Sequence, residues 1–222
     1  MSQKPVIAID GPAASGKGTL ARKLAENLNF SHMDTGALYR AVGYEVLNAD
    51  GDPENESDAL EGCSALSEKL KNSDPLSNSK LRTDEVGNAA SKVAAIQPVR
   101  DALVTLQRNF AKKPADHYEG VILDGRDIGT VICPNAPLKL YITAKTEIRA
   151  ERRTKELHSK GLDVTYKAVL KDMRARDARD MERAIAPLRP ADDAITIDSG
   201  DLSEAEMLQK ALDHVKLVLN IS

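Results

Sequence analysis

Residues 8–28, AIDGPAASGKGTLARKLAENL, place a glycine-rich turn between a short apolar run and an amphipathic segment. The apolar and β-branched residues 6–10 predict a buried strand of ordinary length. After the turn, leucines recur every four residues at Leu20, Leu24 and Leu28, which predicts a helix with one apolar face packed on a sheet. The stretch therefore predicts a strand, a glycine loop and a helix in direct succession.

The glycine loop has two competing interpretations. The spacing of Gly11, Gly16 and Lys17 is that of a P-loop, in which backbone N–H groups and a helix N-terminus hold phosphate while the lysine reaches its oxygens. The run GKGTLA from Gly16 also fits the dinucleotide fingerprint, with Asp34 near the distance of a ribose-binding acid. The dinucleotide fingerprint begins directly at the end of its strand, whereas Gly16 lies six residues beyond Asp10, where the predicted strand ends. Lys17 would also have no role in a dinucleotide loop. We favour the P-loop over a dinucleotide loop or a purely structural turn.

The residue after the P-loop lysine is informative. Most P-loops place Ser or Thr there, but here Gly18 follows and Thr19 is the nearest hydroxyl for Mg²⁺ and phosphate. The run GKGT resembles the P-loops of nucleoside monophosphate kinases. The guanine-binding Asn-Lys-x-Asp of GTPases is absent from the corresponding stretch, ITAKTEIRAERR. The residues expected to hold ATP are Gly11, Pro12, Ala13, Ala14, Ser15, Gly16, Lys17, Gly18 and Thr19.

Short apolar runs recur along the chain at residues 121–124, 138–143 and 194–198, and a weaker one ends just before Asp34. Helical patterns separate them, and strands that alternate with helices indicate a parallel sheet. We predict an α/β P-loop NTPase fold with a central five-stranded parallel sheet flanked by helices. In the last helix, Ser203 and Glu206 form a capping-box pair. Its predicted apolar stripe is Leu208, Leu212, Val215 and Leu219.

The composition suits a globular protein of 222 residues, with 41% apolar and 29% charged residues. No apolar run approaches the ~20 residues that span a bilayer, and the first apolar run is too short for a signal peptide. Cys63 and Cys133 form neither a metal-ligand spacing nor a disulfide framework. We therefore expect a cytoplasmic protein with reduced thiols and no membrane partner.

The net charge of −3 hides an uneven distribution. Residues 145–189 carry 13 Lys or Arg and 8 Asp or Glu, whereas residues 49–79 carry eight acids and two lysines. The basic segment is either a solvated helix or one that meets a polyanion. The acidic isoelectric point of the whole chain argues against nucleic acid as that polyanion.

Two clusters of polar residues follow predicted strands. In MDTGALYRA, Asp34 and Thr35 would cap a helix that carries Arg40, and a plain N-cap explains the same residues. In LDGRDIGTVICP, Asp124 begins the run DGRD at the carboxyl end of a buried strand, the edge where parallel sheets bind ligands. We therefore predict a functional role for this second cluster.

A third polar cluster lies in RARDARDMERAIAPLRP. On one continuous helix, Arg176, Asp180 and Arg183 would share a face, since they are four and three residues apart. A ladder of surface ion pairs is the alternative interpretation.

Five segments in chain order together resemble the bacterial cytidylate kinases. They are GPAASGKGTLA, MDTGALYRA, NAASKVAAIQPVR, DGRDIGTVICP and RDARDMERAIAPL. The DGRDIGT and RDARD elements resemble this family rather than adenylate or guanylate kinases. The resemblance implies transfer of the γ-phosphoryl group of ATP to CMP or dCMP, with Mg²⁺.

The resemblance also implies roles on the acceptor side. Thr35 would contact the acceptor nucleotide, and Arg40 would lie near its phosphate. Ser91 would bind cytosine, and Arg100 would serve the base and phosphate. A serine hydroxyl and an arginine supply part of the donors and acceptors that cytosine requires.

The remaining implied roles concern phosphate and sugar. Arg126 would contact phosphate beside Asp127, whereas Asp180 and Arg183 would hold sugar hydroxyls and phosphate. Arg176 would face the transferred group. The expected catalytic set is Lys17, Arg126, Arg176 and Arg183. Mg²⁺ would be held by Thr19 and Asp34, the latter through water, and no general base is assigned because a nucleotide phosphate is already a competent nucleophile.

The predicted organisation is one kinase domain with three parts. A core (about 1–48, 109–144 and 190–222) would hold ATP, a helical insertion (about 49–108) would bind the acceptor, and a basic helical lid (about 145–189) would close over phosphates. The insertion is shorter than is common in the family, which bears on base selectivity more than on the chemistry. We expect a monomer with small-molecule substrates.

Three other functions stay open from the sequence. Another small-molecule P-loop kinase could act on UMP or on a non-nucleotide acceptor. A P-loop ATPase or switch could use the basic segment to bind nucleic acid, although the acidic isoelectric point weighs against it. A nucleotide-binding module without turnover is the third, and no residue pattern favours it.

Overall fold

The computed structural model describes residues 4–220, which form one five-stranded sheet with helices around it. The strands are β1 (Val6–Asp10), β2 (Phe30–Asp34), β3 (Gly120–Gly125), β4 (Leu138–Thr143) and β5 (Ile195–Asp198). The predicted strands at residues 6–10 and 138–143 are confirmed to the residue, and the other three differ by a residue or two at their ends.

The sheet is doubly wound, with strand order β2-β3-β1-β4-β5. The strand β1 pairs in parallel with β3 and β4, and β4 pairs in parallel with β5. Asp10 is in register with Gly125, so the last residues of β1 and β3 meet at the carboxyl edge of the sheet. The predicted α/β fold with a five-stranded parallel sheet is confirmed, and this edge is where such folds bind ligands.

The α-helices are α1 (Lys17–Leu28), α2 (Thr35–Asn48), α3 (Glu56–Leu70), α4 (Asp84–Val93), α5 (Gln97–Lys112), α6 (Thr146–Ser159), α7 (Tyr166–Glu182) and α8 (Glu204–Leu219). The predicted capping box of α8 is present, since Ser203 and Glu206 bond each other reciprocally. The most buried line of α8 is Met207, Ala211 and Val215. Of the predicted stripe only Val215 belongs to this line, and the three leucines pack beside it partly buried. The apolar face of α8 is wider than the predicted stripe, so the sequence pattern did not identify its most buried residues.

The chain divides into two compact units. The first contains the described residues up to Met33, residues Phe110–Glu182 and those from Ala186 onward. Its core combines β-branched strand residues with the apolar faces of α1 and α8. A smaller apolar cluster joins α6 and α7, formed by Ala150, Leu157, Val169 and Met173.

The second unit contains residues Asp34–Asn109 and Arg183–Ile185. It is helical, and α2 approaches α4 closely, because a Cβ at Gly43 would lie 2.9 Å from that of Ala89. The helix α2 also packs on α3 in this unit. The functional division into core, insertion and lid stays a prediction.

No helix among residues 4–220 is long and apolar enough to cross a membrane.

Candidate active site

The glycine loop between β1 and α1 requires its glycines. A Cβ at Gly11, whose φ is +152°, would clash with the carbonyl oxygen of Ile142 on β4. Ala14 and Gly16 have φ of +56° and +88°, in the left-handed region. Alternating backbone conformations of this kind direct successive N–H groups into one concavity, which is a site for anions.

The helix α1 begins at Lys17 directly behind this loop. Its N-cap residue is Gly16, and no side chain among the described residues caps the helix. Within residues 4–220, the buried Oγ of Ser15 has no hydrogen-bond partner. The Nζ of Lys17 lies 3.4 Å from the carbonyl oxygen of Pro12, along the loop. A helix N-terminus without a side-chain cap, an orphaned hydroxyl and a nearby ammonium group together fit a bound polyphosphate.

Asp124, at the end of β3, lies beside the start of α1. Its Oδ2 would be 3.7 Å from a Cβ placed on Gly18, an ordinary van der Waals distance, so the carboxylate lies close to the first turn of α1. Its Oδ1 lies 2.7 Å from Nε2 of His32 on β2. The sequence predicted a functional cluster containing Asp124, and the contact with His32 was not predicted.

Asp10 fixes the segment that contains Arg126 and Asp127. Its buried carboxylate accepts hydrogen bonds of 2.8 Å from the N–H groups of Ile128 and Gly129, at the start of a π-helical turn. Burial raises the pKa of Asp10 to about 7, although the two amide donors act to lower it. The residue just before the P-loop thus holds the DGRD segment in place.

The structure brings together two of the predicted site residues, Arg126 and Asp180. The Nε of Arg126 donates to Oδ2 of Asp180 on α7 at 3.0 Å, and the Asp180 side chain is buried. Asp127, also buried, precedes the π-helical turn. Arg176 lies on α7 one turn before Asp180.

Arg183 does not share a helical face with Arg176 and Asp180, so that prediction is wrong. The helix α7 ends at Glu182, and Ala186 adopts a φ of +47°. The residue before a proline avoids helical backbone, and Pro187 follows Ala186. The predicted catalytic and substrate-binding role of Arg183 stays a prediction, now from a position beyond the helix.

Asp34 caps α2, as predicted, and also binds Arg40. Its Oδ1 accepts from the N–H of Ala37 at 3.2 Å, and its Oδ2 accepts from Nη2 of Arg40 at 2.6 Å. The arginine folds back over Gly36, where a Cβ would lie 3.0 Å from its Nη1. Thr35 is the first residue of α2 and is buried.

The other two predicted acceptor residues lie on α4 and α5. Ser91 is a buried residue of α4. Arg100 is 2% exposed, donates to the carbonyl oxygen of Ala94 at 3.4 Å, and lies 5.8 Å from the ring centroid of Tyr39. Arg100 thus packs on the residue that precedes Arg40 on α2.

The described residues contain no group of three or more His, Cys, Asp or Glu side chains arranged to hold a metal ion. Mg²⁺ in kinases is usually bound by one or two protein groups together with substrate phosphates and water, so no such group is needed. The two predicted Mg²⁺ residues both make contacts within the protein. Thr19 Oγ1 accepts from Nη2 of Arg22 at 3.4 Å, and the carboxylate of Asp34 accepts from Ala37 and Arg40.

Several residues that order the site were not predicted. Arg149 pairs with Asp177, and its guanidinium also contacts the phosphate loop. Ser199, after β5, likewise contacts the loop. The only sequence feature that could have indicated Arg149 and Asp177 was the high charge of residues 145–189. That segment forms a buried ion pair between Arg149 and Asp177 and exposed pairs such as Arg174 with Glu147.

The fold and loop define a P-loop protein: a parallel sheet whose first strand leads through a glycine loop and a lysine into a helix. The family model for cytidylate kinase matches residues 7–217. The chain belongs to the cytidylate kinase family, whose members are ATP-dependent phosphotransferases that act on small molecules.

Two curated relatives and one solved structure illustrate the similarity. The chain is 51% identical to a cytidylate kinase of Rhodospirillum rubrum over 94% of this chain and 95% of the relative. It is 52% identical to a cytidylate kinase of Paramagnetospirillum magneticum over 93% of this chain and 95% of the relative. An uncharacterized protein from Eubacterium ventriosum shares the fold, with a TM-score of 0.53 and 14% identity over 96% of this chain and 99% of that one.

Proposed function

We propose that this chain transfers the γ-phosphoryl group of ATP to CMP or dCMP, which gives ADP and CDP or dCDP. The observation that carries the proposal is the family match over residues 7–217, supported by relatives named cytidylate kinase at about 50% identity. Those relatives match over nearly their whole length.

In the proposed mechanism, the loop amides and the α1 N-terminus bind the phosphates of ATP, and Lys17 neutralises charge on the β- and γ-oxygens. Arg126, Arg176 and Arg183 stabilise the charge that spreads over the transferred group. The acceptor phosphate attacks without a general base. Phosphoryl transfer depends mainly on positioning and charge stabilisation, and these residues provide both.

We propose that Mg²⁺ accompanies ATP and that Thr19 and Asp34 help to hold it. Bound Mg²⁺ would supply positive charge that neutralises the phosphates of ATP. Both oxygens of Asp34 already accept hydrogen bonds, so this carboxylate is better suited to bind a water of the ion than the ion itself. Asp124 is a second carboxylate near the start of α1, beside Gly18.

On the acceptor side, we propose that Arg40 and Arg100 serve the phosphate and base of CMP, with Thr35 and Ser91 as hydroxyl contacts. All four residues belong to the helical second unit. Asp127 and Asp180 would orient the phosphate-binding arginines and the sugar. We also propose that the enzyme acts as a monomer in the cytoplasm, which size-exclusion chromatography and cell fractionation would test.

An acceptor panel tests the substrate. Coupled ADP release would be measured with CMP, dCMP, UMP, AMP and shikimate under one set of conditions. We expect the highest kcat/KM with CMP or dCMP. A higher kcat/KM with UMP or shikimate would overturn CMP as the acceptor and indicate another small-molecule kinase. ADP release that does not depend on any acceptor would indicate an ATPase.

A further inference from the structure

A buried ion pair joins the two helices of the basic segment. Arg149 on α6 and Asp177 on α7 are 2% and 7% exposed, and Nη2 of the arginine lies 2.6 Å from Oδ2 of the aspartate. A surface ion pair also joins these helices, between Glu147 and Arg174 at 2.7 Å. The two pairs differ in burial and in what else the arginine contacts.

All five N–H groups of Arg149 make contacts. Two bind Asp177, at 2.6 and 3.2 Å, and two bind Ala144 and Thr146 near the start of α6, at 2.9 and 2.8 Å. The remaining one donates to the carbonyl oxygen of Ala13 in the phosphate loop, at 3.1 Å. The guanidinium plane is rigid, so its fit to the other partners sets the position of Ala13.

Ser199 holds a second carbonyl of the loop. Its Oγ lies 2.9 Å from the carbonyl oxygen of Ser15 and 3.0 Å from that of Thr143, and the residue is 1% exposed. The Nη1 of Arg152 donates to the same Oγ at 3.1 Å. Because the hydroxyl oxygen accepts from Arg152, its single hydrogen is directed at the two carbonyl groups.

These two contacts determine where loop amides point. Every described peptide bond is trans, and in a trans peptide the C=O and the following N–H point in opposite directions. A carbonyl of Ala13 held by Arg149 therefore turns the N–H of Ala14 away from α6. A carbonyl of Ser15 held by Ser199 turns the N–H of Gly16 away from Ser199 in the same manner. The side chain of Ala14 is itself packed on the apolar cluster between α6 and α7.

We infer that Arg149 and Ser199 are positioning residues of the phosphate loop, which fix from outside the direction of two N–H groups that bind the triphosphate of ATP. Asp177 supports this role by fixing Arg149. The inference rests on the proposed assignment of residues 11–19 to ATP. It predicts that changes at Arg149 and Ser199 weaken ATP binding specifically, although neither side chain needs to touch the nucleotide.

The test compares Ser199→Ala, Arg149→Lys and the control Arg174→Gln. For each, the melting temperature is measured without ligand and then in separate titrations with Mg·ATP and with CMP, from which both dissociation constants follow. We expect Ser199→Ala and Arg149→Lys each to raise the Kd for ATP about tenfold, with the Kd for CMP changed less than twofold. Lysine keeps the charge opposite Asp177 but lacks the fork that also reaches Ala13.

The control separates positioning from helix packing. Arg174→Gln removes the exposed α6–α7 ion pair and should leave both dissociation constants within twofold of the wild type. Unchanged ATP affinity in Ser199→Ala and Arg149→Lys would overturn the inference, as would equal losses of ATP and CMP affinity. Should Arg149→Lys fail to fold, Ser199→Ala decides alone. A wild type that Mg·ATP does not stabilise would instead overturn the ATP assignment, and the inference with it.

Discussion

Arg126 and Asp180, 54 residues apart in the chain, meet in a hydrogen-bonded ion pair with Nε 3.0 Å from Oδ2. The aspartate is buried, and the pair holds the DGRD segment against α7. Nε of Arg126 is held by Asp180, and Nη1 donates to the carbonyl oxygen of Gly125 at 3.4 Å. These two bonds fix the guanidinium plane and with it the direction of Nη2. The pair therefore serves to aim a guanidinium group, which is what a phosphate-binding arginine requires.

Replacing Arg126 tests this role. Arg126→Ala should lower kcat about 10²-fold or more, as does the loss of a group that stabilises transition-state charge. Asp180→Asn should cost less, about tenfold, because an amide oxygen can still accept from Nε. Steady-state kinetics with ATP and CMP varied in turn would measure both effects.

Arg126→Ala leaves the buried Asp180 without this partner, which is destabilising. The double variant Arg126→Ala/Asp180→Asn removes the charge and serves as the folded control. A folded double variant with kcat within twofold of the wild type would exclude Arg126 from catalysis.

Lys17 has a matched control on its own helix. Lys17→Ala should reduce kcat at least about 10²-fold, since the ammonium group neutralises charge on the transferred phosphate. Lys23→Ala removes another α1 lysine, whose exposed pair with Glu204 at 2.6 Å is worth at most about 1 kcal/mol. Circular dichroism and thermal melts should show both variants folded. Full turnover in folded Lys17→Ala would refute the P-loop assignment.

Two glycine substitutions separate steric conflict from backbone strain. In Gly161→Ala the new Cβ meets no atom within 4 Å, so only the φ of +77° opposes it, at a cost of about 1–2 kcal/mol. In Gly11→Ala the Cβ meets the carbonyl oxygen of Ile142, which strand pairing fixes, so the loss should be about 3 kcal/mol or more. Urea unfolding would give both values. Equal losses would mean that β1 and β4 are not packed as described.

Asp10 makes stability depend on pH in a defined window. Burial raises its pKa from 3.8 to about 7, so between these values the folded state binds a proton that the unfolded chain has released. The wild type should thus lose stability relative to Asp10→Asn as pH rises from about 4 to 7, by at most about 1.4 kcal/mol per pH unit, with no further change above 7. Urea unfolding of both proteins from pH 4 to 8.5 measures this difference. A stability difference between the two proteins that does not change with pH would mean that the pKa of Asp10 is not raised in the folded state.

The sheet and the phosphate loop were predictable because local rules determine them. Residues 6–10 are apolar and β-branched, and the spacing from Gly11 to Lys17 follows from the geometry of backbone amides around phosphate. The shared face of Arg176, Asp180 and Arg183 was mispredicted because α7 ends at Glu182, one residue before Arg183. A fixed helical spacing assumes that the helix continues through all three residues.

The contacts that order the loop were not predictable from spacing. Arg149 and Asp177 are 28 residues apart, on different helices, and charged residues surround both in the sequence. Periodicity indicates an apolar face but does not reveal which charged residue is buried against a partner. The role of Asp10 was unpredictable for the same reason, because its hydrogen bonds to Ile128 and Gly129 depend on the pairing of β1 with β3.

The proposed reaction moves a phosphoryl group from ATP to CMP. Its most direct test is to incubate the protein with ATP labelled with ³²P at the γ-position, Mg²⁺ and CMP, and to separate the products by chromatography. We predict that the label appears in CDP, in amounts that match ADP formed, and that it does so only when CMP is present. Label released as inorganic phosphate at the same rate with and without CMP would show that the protein is an ATPase and not a CMP kinase.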